Sequence, residues 1–151
     1  MTIFEAIVSM EDVQYAKKYD FLLIEDSYNE ALMMDIQLAK SEKSYVCGWI
    51  SDSSLLIEMI EKNMLPETKL LLIDIRMPVY DGLECLAKIR NNGYKSIVPI
   101  VMLSSSDHDK DISKAYGLHC NGYIVKSGSL IDFRERILTA LHYWIEINTI
   151  N

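Results

Sequence analysis

Four apolar runs of this chain each end in residues equipped for chemistry. FLLI at 21–24 leads into the acidic pair Glu25 and Asp26, and LLLI at 70–73 leads into Asp74. IVPIVML at 97–103 leads into Ser104, Ser105 and Ser106, and NGYIV at 121–125 leads into Lys126. Open α/β sheets gather their chemistry beyond the carboxyl ends of the strands, so these side chains are expected to share one site. A carboxylate can attack phosphorus to give an acyl phosphate, but its charge repels the incoming phosphoryl oxygens. A divalent cation relieves that repulsion, and Mg²⁺ prefers oxygen ligands with retained waters, Mn²⁺ being a substitute. The chemistry expected is therefore transfer of a phosphoryl group to Asp74. Asp26 and Asp74 are the expected direct metal ligands, Glu25 acts directly or through water, and the main-chain carbonyl of Arg76 supplies a further oxygen. Lys126 neutralises a phosphoryl oxygen, Ser104 donates to it, and backbone amides near Met77 and Ser105 complete the cradle. Taken singly, each residue has a plainer role: Ser104 or Asp74 as a cap, Lys126 as a surface cation, Glu25 and Asp26 as a solvated helix entrance. Only the ordered set outweighs those readings.

Something must hold these residues together, and 151 residues suffice for one domain with a sizeable core. Half the residues are hydrophobic, which opposes extensive disorder, and a formal charge of -7 opposes binding to a nucleic-acid backbone. No run is long enough to span a membrane, and Glu5, Glu11 and Asp12 interrupt any leader-like pattern at the N-terminus. Cys47, Cys85 and Cys120 are odd in number and lack paired metal or redox spacing, so they read as small buried hydrophobes in a reducing, cytoplasmic setting.

Strand-like and helical patterns alternate. Strands are expected at 21–25, 45–50, up to Asp74, at 100–103 and at 122–125. Helices are expected from Tyr28 to Lys40, after Asp52 or Ser53, from Asp81 or Gly82 to the NNG stop at 91–93, from Asp107 to Tyr116, and from Ser129 onward. Right-handed crossovers then give an α/β fold, a doubly wound five-stranded parallel sheet with flanking helices and strand order 2-1-3-4-5. Residues 1–20 are expected to form an N-terminal extension, a short helix or a tail, with Phe4, Ile7, Val8 and Tyr15 able to pack on the domain. Residues 21–147 form the domain proper and 148–151 a C-terminal tail.

These residues resemble those of bacterial response-regulator receiver domains of the CheY-like type, over 20–147. Glu25 and Asp26 match the metal-binding acidic pair, Asp74 the phosphoacceptor, Ser104 the switching hydroxyl and Lys126 the phosphate-binding lysine; Met77-Pro78-Val79-Tyr80-Asp81-Gly82 matches the MPxxDG stretch. The resemblance implies a histidine kinase or phosphotransfer protein as donor, self-dephosphorylation by water, and Tyr123 as the switching aromatic. Ser106 stands where water access is tuned. The expected output surface is the fourth helix, fifth strand and fifth helix, contacting a downstream protein, with Trp144, Ile147 and Ile150 extending it toward a homodimer contact or simply packing locally. The segment from Tyr116 through Ser127 and the aromatic C-terminus are similar to single-domain regulators paired with phytochrome-type kinases.

One departure is Ser127, which follows Lys126 where receivers usually place a proline. His108, His119 and His142 share no ligand pattern and read as surface, capping or packing residues. Two alternatives stand beside the receiver reading: an interaction adaptor that keeps the fold without phosphorylation, and a phosphohydrolase. The second lacks an acid or base two places beyond Asp74, where Arg76 stands.

Overall fold

A computed structural model describes residues 1, 3–14, 18–93, 97–105 and 108–150. The strand runs are apolar on both faces because the sheet is covered on both sides. The elements are β1 Phe4–Ala6, α1 Met10–Gln14, β2 Phe21–Ile24, α2 Tyr28–Ala39, β3 Cys47–Ile50, α3 Ser53–Glu61, β4 Leu71–Asp74, α4 Gly82–Asn91, β5 Ile100–Ser104, α5 Asp109–Gly117, β6 Gly122–Val125 and α6 Leu130–Leu141. A π-helical stretch, His142–Ile147, continues α6.

Every pairing is parallel, and the sheet order is β1-β3-β2-β4-β5-β6. The expected five strands keep their relative order inside it, but among the described residues the sheet has six strands, not five. The added edge strand is three residues long, too short for any alternation to register in a sequence pattern. It exists through long-range contacts: β1 pairs with β3, and the carboxylate of Asp35 on α2 accepts from the Ile3 and Phe4 amides at 2.9 and 2.8 Å. The expected short helix is present as α1. Phe4 and Ile7 pack into the core as anticipated, Val8 is exposed, and Tyr15 lies outside the described residues.

Alternation along the strands divides the core. Leu22, Ile24, Leu71, Ile73, Ile100 and Met102 face α3, α4 and α5, while Phe21, Leu23, Leu70, Leu72, Val101 and Leu103 face α2 and α6. Cys47, Cys85 and Cys120 are free thiols within these layers. All strands run the same way, so the residues that follow them converge on one edge.

Helix starts are pinned at that edge. Ser27 caps α2 by accepting from the Glu30 amide, and Asp81 and Glu84 form a capping box on α4. Gly82 is required there: a Cβ would lie 2.2 Å from the carbonyl oxygen of Asp74. The α4 N-terminus is thereby brought against the end of β4.

Candidate functional site

The convergence produces a charge cluster around one ammonium. Lys126 Nζ lies 2.7 Å from Asp74 Oδ1, 3.1 Å from Glu25 Oε2 and 3.2 Å from Glu30 Oε1. Asp74 ends β4, Glu25 follows β2, Lys126 follows β6 and Glu30 sits in the first turn of α2. Ligand oxygens of Glu25, Glu30 and Asp74 lie within 4.8 Å of one another. The Lys126 amide donates to the Ser104 carbonyl at 2.7 Å, which ties the end of β6 to the end of β5. Trp49 Nε1 donates to the Glu25 carbonyl at 2.7 Å and fixes the backbone at the other flank.

Three carboxyls around one ammonium are short of positive charge. Burial raises the Glu25 pKa, Lys126 lowers it and Asp74 raises it, with a net value pushed up to about 8. Burial also leads the upward shift of Asp74, against the opposing hydrogen bond from Lys126. Burial alone would lower the Lys126 pKa, but Glu25, Asp74 and Glu30 outweigh it and move the ammonium upward. Glu30 is half exposed, and although burial raises it, its contacts with Glu25 and Lys126 bring it below the ordinary range. A second cation would lower the energy of this group, and an all-oxygen donor set suits a hard divalent ion. The cluster is capable of coordinating Mg²⁺ or Mn²⁺.

The sequence model of the response regulator receiver domain matches residues 21–138. The chain belongs to that family. Among relatives of this receiver, the response regulator Rcp1 of Synechocystis is 29% identical over 133 residues, covering 85% of this chain and 90% of Rcp1. A probable methanogenesis regulatory protein, FilR2 of Methanothrix harundinacea, is 26% identical with 84% of each chain covered. Among solved structures, the Mn²⁺-bound form of Rcp1 aligns with TM-score 0.71 at 28% identity, covering 87% of this chain and 97% of that one. The phosphorylated cyanobacterial phytochrome response regulator RcpA aligns with TM-score 0.77 at 26% identity, covering 88% and 98%. This receiver is a CheY-like domain related to Rcp1/RcpA-type regulators, and its acidic cluster is consistent with the Mg²⁺-dependent phosphotransfer and self-dephosphorylation typical of them.

Of the residues read from the sequence, Glu25, Asp74 and Lys126 meet directly, and Ser104 is buried at the adjacent strand end. Asp26 is exposed and lies outside the carboxylate trio, near enough for its charge to raise Asp74. Tyr123 pairs with Met102 across β5 and β6 and packs half-buried on the core. Ser106 lies outside the described residues. The Lys126–Ser127 bond is trans. Glu30 is the residue that sequence reasoning missed; its signal was its place in the first turn of the helix after Glu25, which puts it at the same sheet edge. Also unforeseen is the partner of the Arg76 side chain, which lies 3.1 Å from Asp111 on α5.

The β4–α4 loop carries strain beside this cluster. Val79 adopts φ 65°, the left-handed region, where a β-branched residue costs about 1–3 kcal/mol. Beside Glu25 and Lys126, a cleft of about 270 Å³ opens between α2 and α6, with Met33, Leu130 and Phe133 among its apolar walls.

Proposed function

We propose that Asp74 is the phosphoacceptor and that the protein relays a phosphoryl group from a histidine kinase or phosphotransfer protein. The observation that carries this reading is the Lys126 ammonium held 2.7 Å from Asp74 inside a cluster with too many carboxylates. An Asp74 carboxylate oxygen attacks phosphorus as the donor's phosphorus–nitrogen bond breaks, leaving an acyl phosphate on Asp74 and the freed imidazole on the donor. Mg²⁺, when bound, would supply charge neutralisation for the phosphoryl group. Glu25, Asp26, Asp74 and the Arg76 carbonyl are the assigned ligands, and the position of Glu30 supports adding it to the outer or inner set. Lys126 gives up part of its contact with Asp74 to hold a phosphoryl oxygen, and Ser104 donates to another. Water attack on phosphorus then breaks the bond to the Asp74 oxygen, releasing inorganic phosphate and returning Asp74 to its carboxylate.

Ser104 and Tyr123 act as the switch, coupling the phosphoryl group to a protein-binding face on α5, β6 and α6, where a homodimer contact including the C-terminal Trp144, Ile147 and Ile150 would also form. Ile147 and Ile150 are exposed, which supports that extension. The likeness to Rcp1 and RcpA supports a phytochrome-type kinase as donor. The three free buried thiols accord with a cytoplasmic protein.

Intact-mass measurement after treatment with acetyl phosphate and Mg²⁺ tests the assignment. One acid-labile phosphoryl adduct is expected on the wild type and none on Asp74→Asn. A folded wild type that takes no adduct from several small donors and a histidine phosphotransfer domain would overturn it in favour of a phosphorylation-independent adaptor.

A further inference from the structure

The segment that links the proposed phosphoacceptor to α4 runs from Ile75 to Asp81. Its ends are tied by the Gly82 amide, which donates to the Ile75 carbonyl at 2.8 Å. Between those ends, Val79 holds φ 65° with its side chain 74% exposed, so side-chain burial offers little compensation for the left-handed backbone. The compensation comes from another element. Ser53, the first residue of α3 and only 2% exposed, donates its hydroxyl to the Pro78 carbonyl at 3.0 Å. The same oxygen accepts from the Tyr80 amide at 3.2 Å. Those two groups flank Val79, and a left-handed residue between them leaves both directed toward one hydroxyl. A serine oxygen can donate and accept at once, which an alanine or a carboxylate cannot do. Without it, two backbone groups beside the core lose their partner and Val79 is free to return to negative φ, which rotates the neighbouring peptides.

We propose that Ser53 is a positioning residue for the phosphorylation site: its hydroxyl clamps the left-handed turn at Val79 and so fixes the loop carrying Arg76 and Met77. The effect on metal and phosphoryl binding rests on the function proposed above, whereas the effect on the loop does not. Arg76 and Met77 lie between the Ile75–Gly82 tie and the clamped turn, so the orientation of their backbone groups follows from both.

Two readouts test the clamp. In the metal-free protein, hydrogen exchange of the amides from Arg76 to Asp81 is expected to speed up about tenfold in Ser53→Ala, while amides of β2 and β4 keep their protection. The Mg²⁺ dissociation constant is expected to rise about fivefold, since loop disorder must be reversed on binding. Val79→Asn in the Ser53→Ala background is expected to recover at least half of both changes, because asparagine occupies the left-handed region readily. Exchange in Ser53→Ala within about twofold of wild type would overturn the proposal. So would accelerated exchange that Val79→Asn leaves uncorrected, since Ser53 would then act through α3 rather than through the turn. A wild type that binds no Mg²⁺ would refute the proposed function and leave the exchange result to judge the clamp.

Discussion

Two buried carboxylates of this receiver, Asp35 and Asp74, are 1% and 4% exposed, yet the protein treats them differently. Asp35 lies under the N-terminal edge strand and accepts from two backbone amides, neutral donors placed by the first residue of β1 and the residue before it. Asp74 lies at the carboxyl edge of the sheet and shares a single ammonium with Glu25 and Glu30. Amides satisfy a carboxylate locally and make it part of the fold. Three carboxyl groups on one lysine outnumber the positive charge beside them, a deficit that a metal ion can answer, so the demand for a ligand is built into the charge balance. Burial of an acid alone therefore marks neither function nor structure; the kind of partner does.

Removing Lys126 tests the functional side of that contrast most severely. Lys126→Ala should slow Asp74 phosphorylation about 100-fold by taking away the side-chain cation held 2.7 Å from Asp74. The initial rate of adduct formation at saturating Mg²⁺, on protein shown to be folded, checks this. A rate near that of wild type would mean that the metal alone balances the cluster.

The structural side predicts the opposite profile. Asp35→Ala should lower stability by about 2 kcal/mol, because two amides lose a charged acceptor, while Mg²⁺ affinity stays within about twofold. Urea unfolding and a metal titration give the two numbers. A fall in metal affinity comparable to the loss of stability would break the comparison, linking the two carboxylates through α2, which carries both Asp35 and Glu30.

Acidity gives the smallest expected effect. Glu25 has its pKa raised from an ordinary 4.5 to about 8, so its neutral form is favoured in the folded state. Its contribution to stability is complete below the unfolded value and is lost as pH rises through about 8. The metal-free protein should therefore unfold more readily at high pH, while Mg²⁺, which binds the ionised form, should offset that loss. Its affinity should increase about tenfold from pH 7 to pH 9 as the competing proton leaves. A flat affinity profile over that range would show that Glu25 is already ionised or does not face the ion.

Much of this site was legible before the fold was known. Asp74, Glu25, Ser104 and Lys126 each follow an apolar run, and parallel strands necessarily deliver such residues to one edge. Glu30 was not legible in the same way. It belongs to a helix whose first turn leans over the strand ends, and nothing in local spacing says which side chains of that turn reach inward. Asp26, adjacent to Glu25 in sequence, is exposed where Glu25 is buried, so neighbours in the chain meet different surroundings at the site. The edge strand was hidden for a related reason: β1 has one buried residue out of three, and its identity as a strand depends on β3 and Asp35.

The sequence alone determined the alternation of apolar runs and helical stripes, and with it the parallel α/β sheet and the edge that bears the charged residues, because those follow from periodicity along the chain. Only the tertiary structure decided which carboxylates share Lys126, that a sixth strand closes against β3, and that Ser53 reaches across to the strained turn at Val79. These relations join residues 25 to 101 positions apart. Their energies depend on distances of about 3 Å between groups that no local pattern relates, since a hydrogen bond or ion pair weakens steeply once that separation is exceeded.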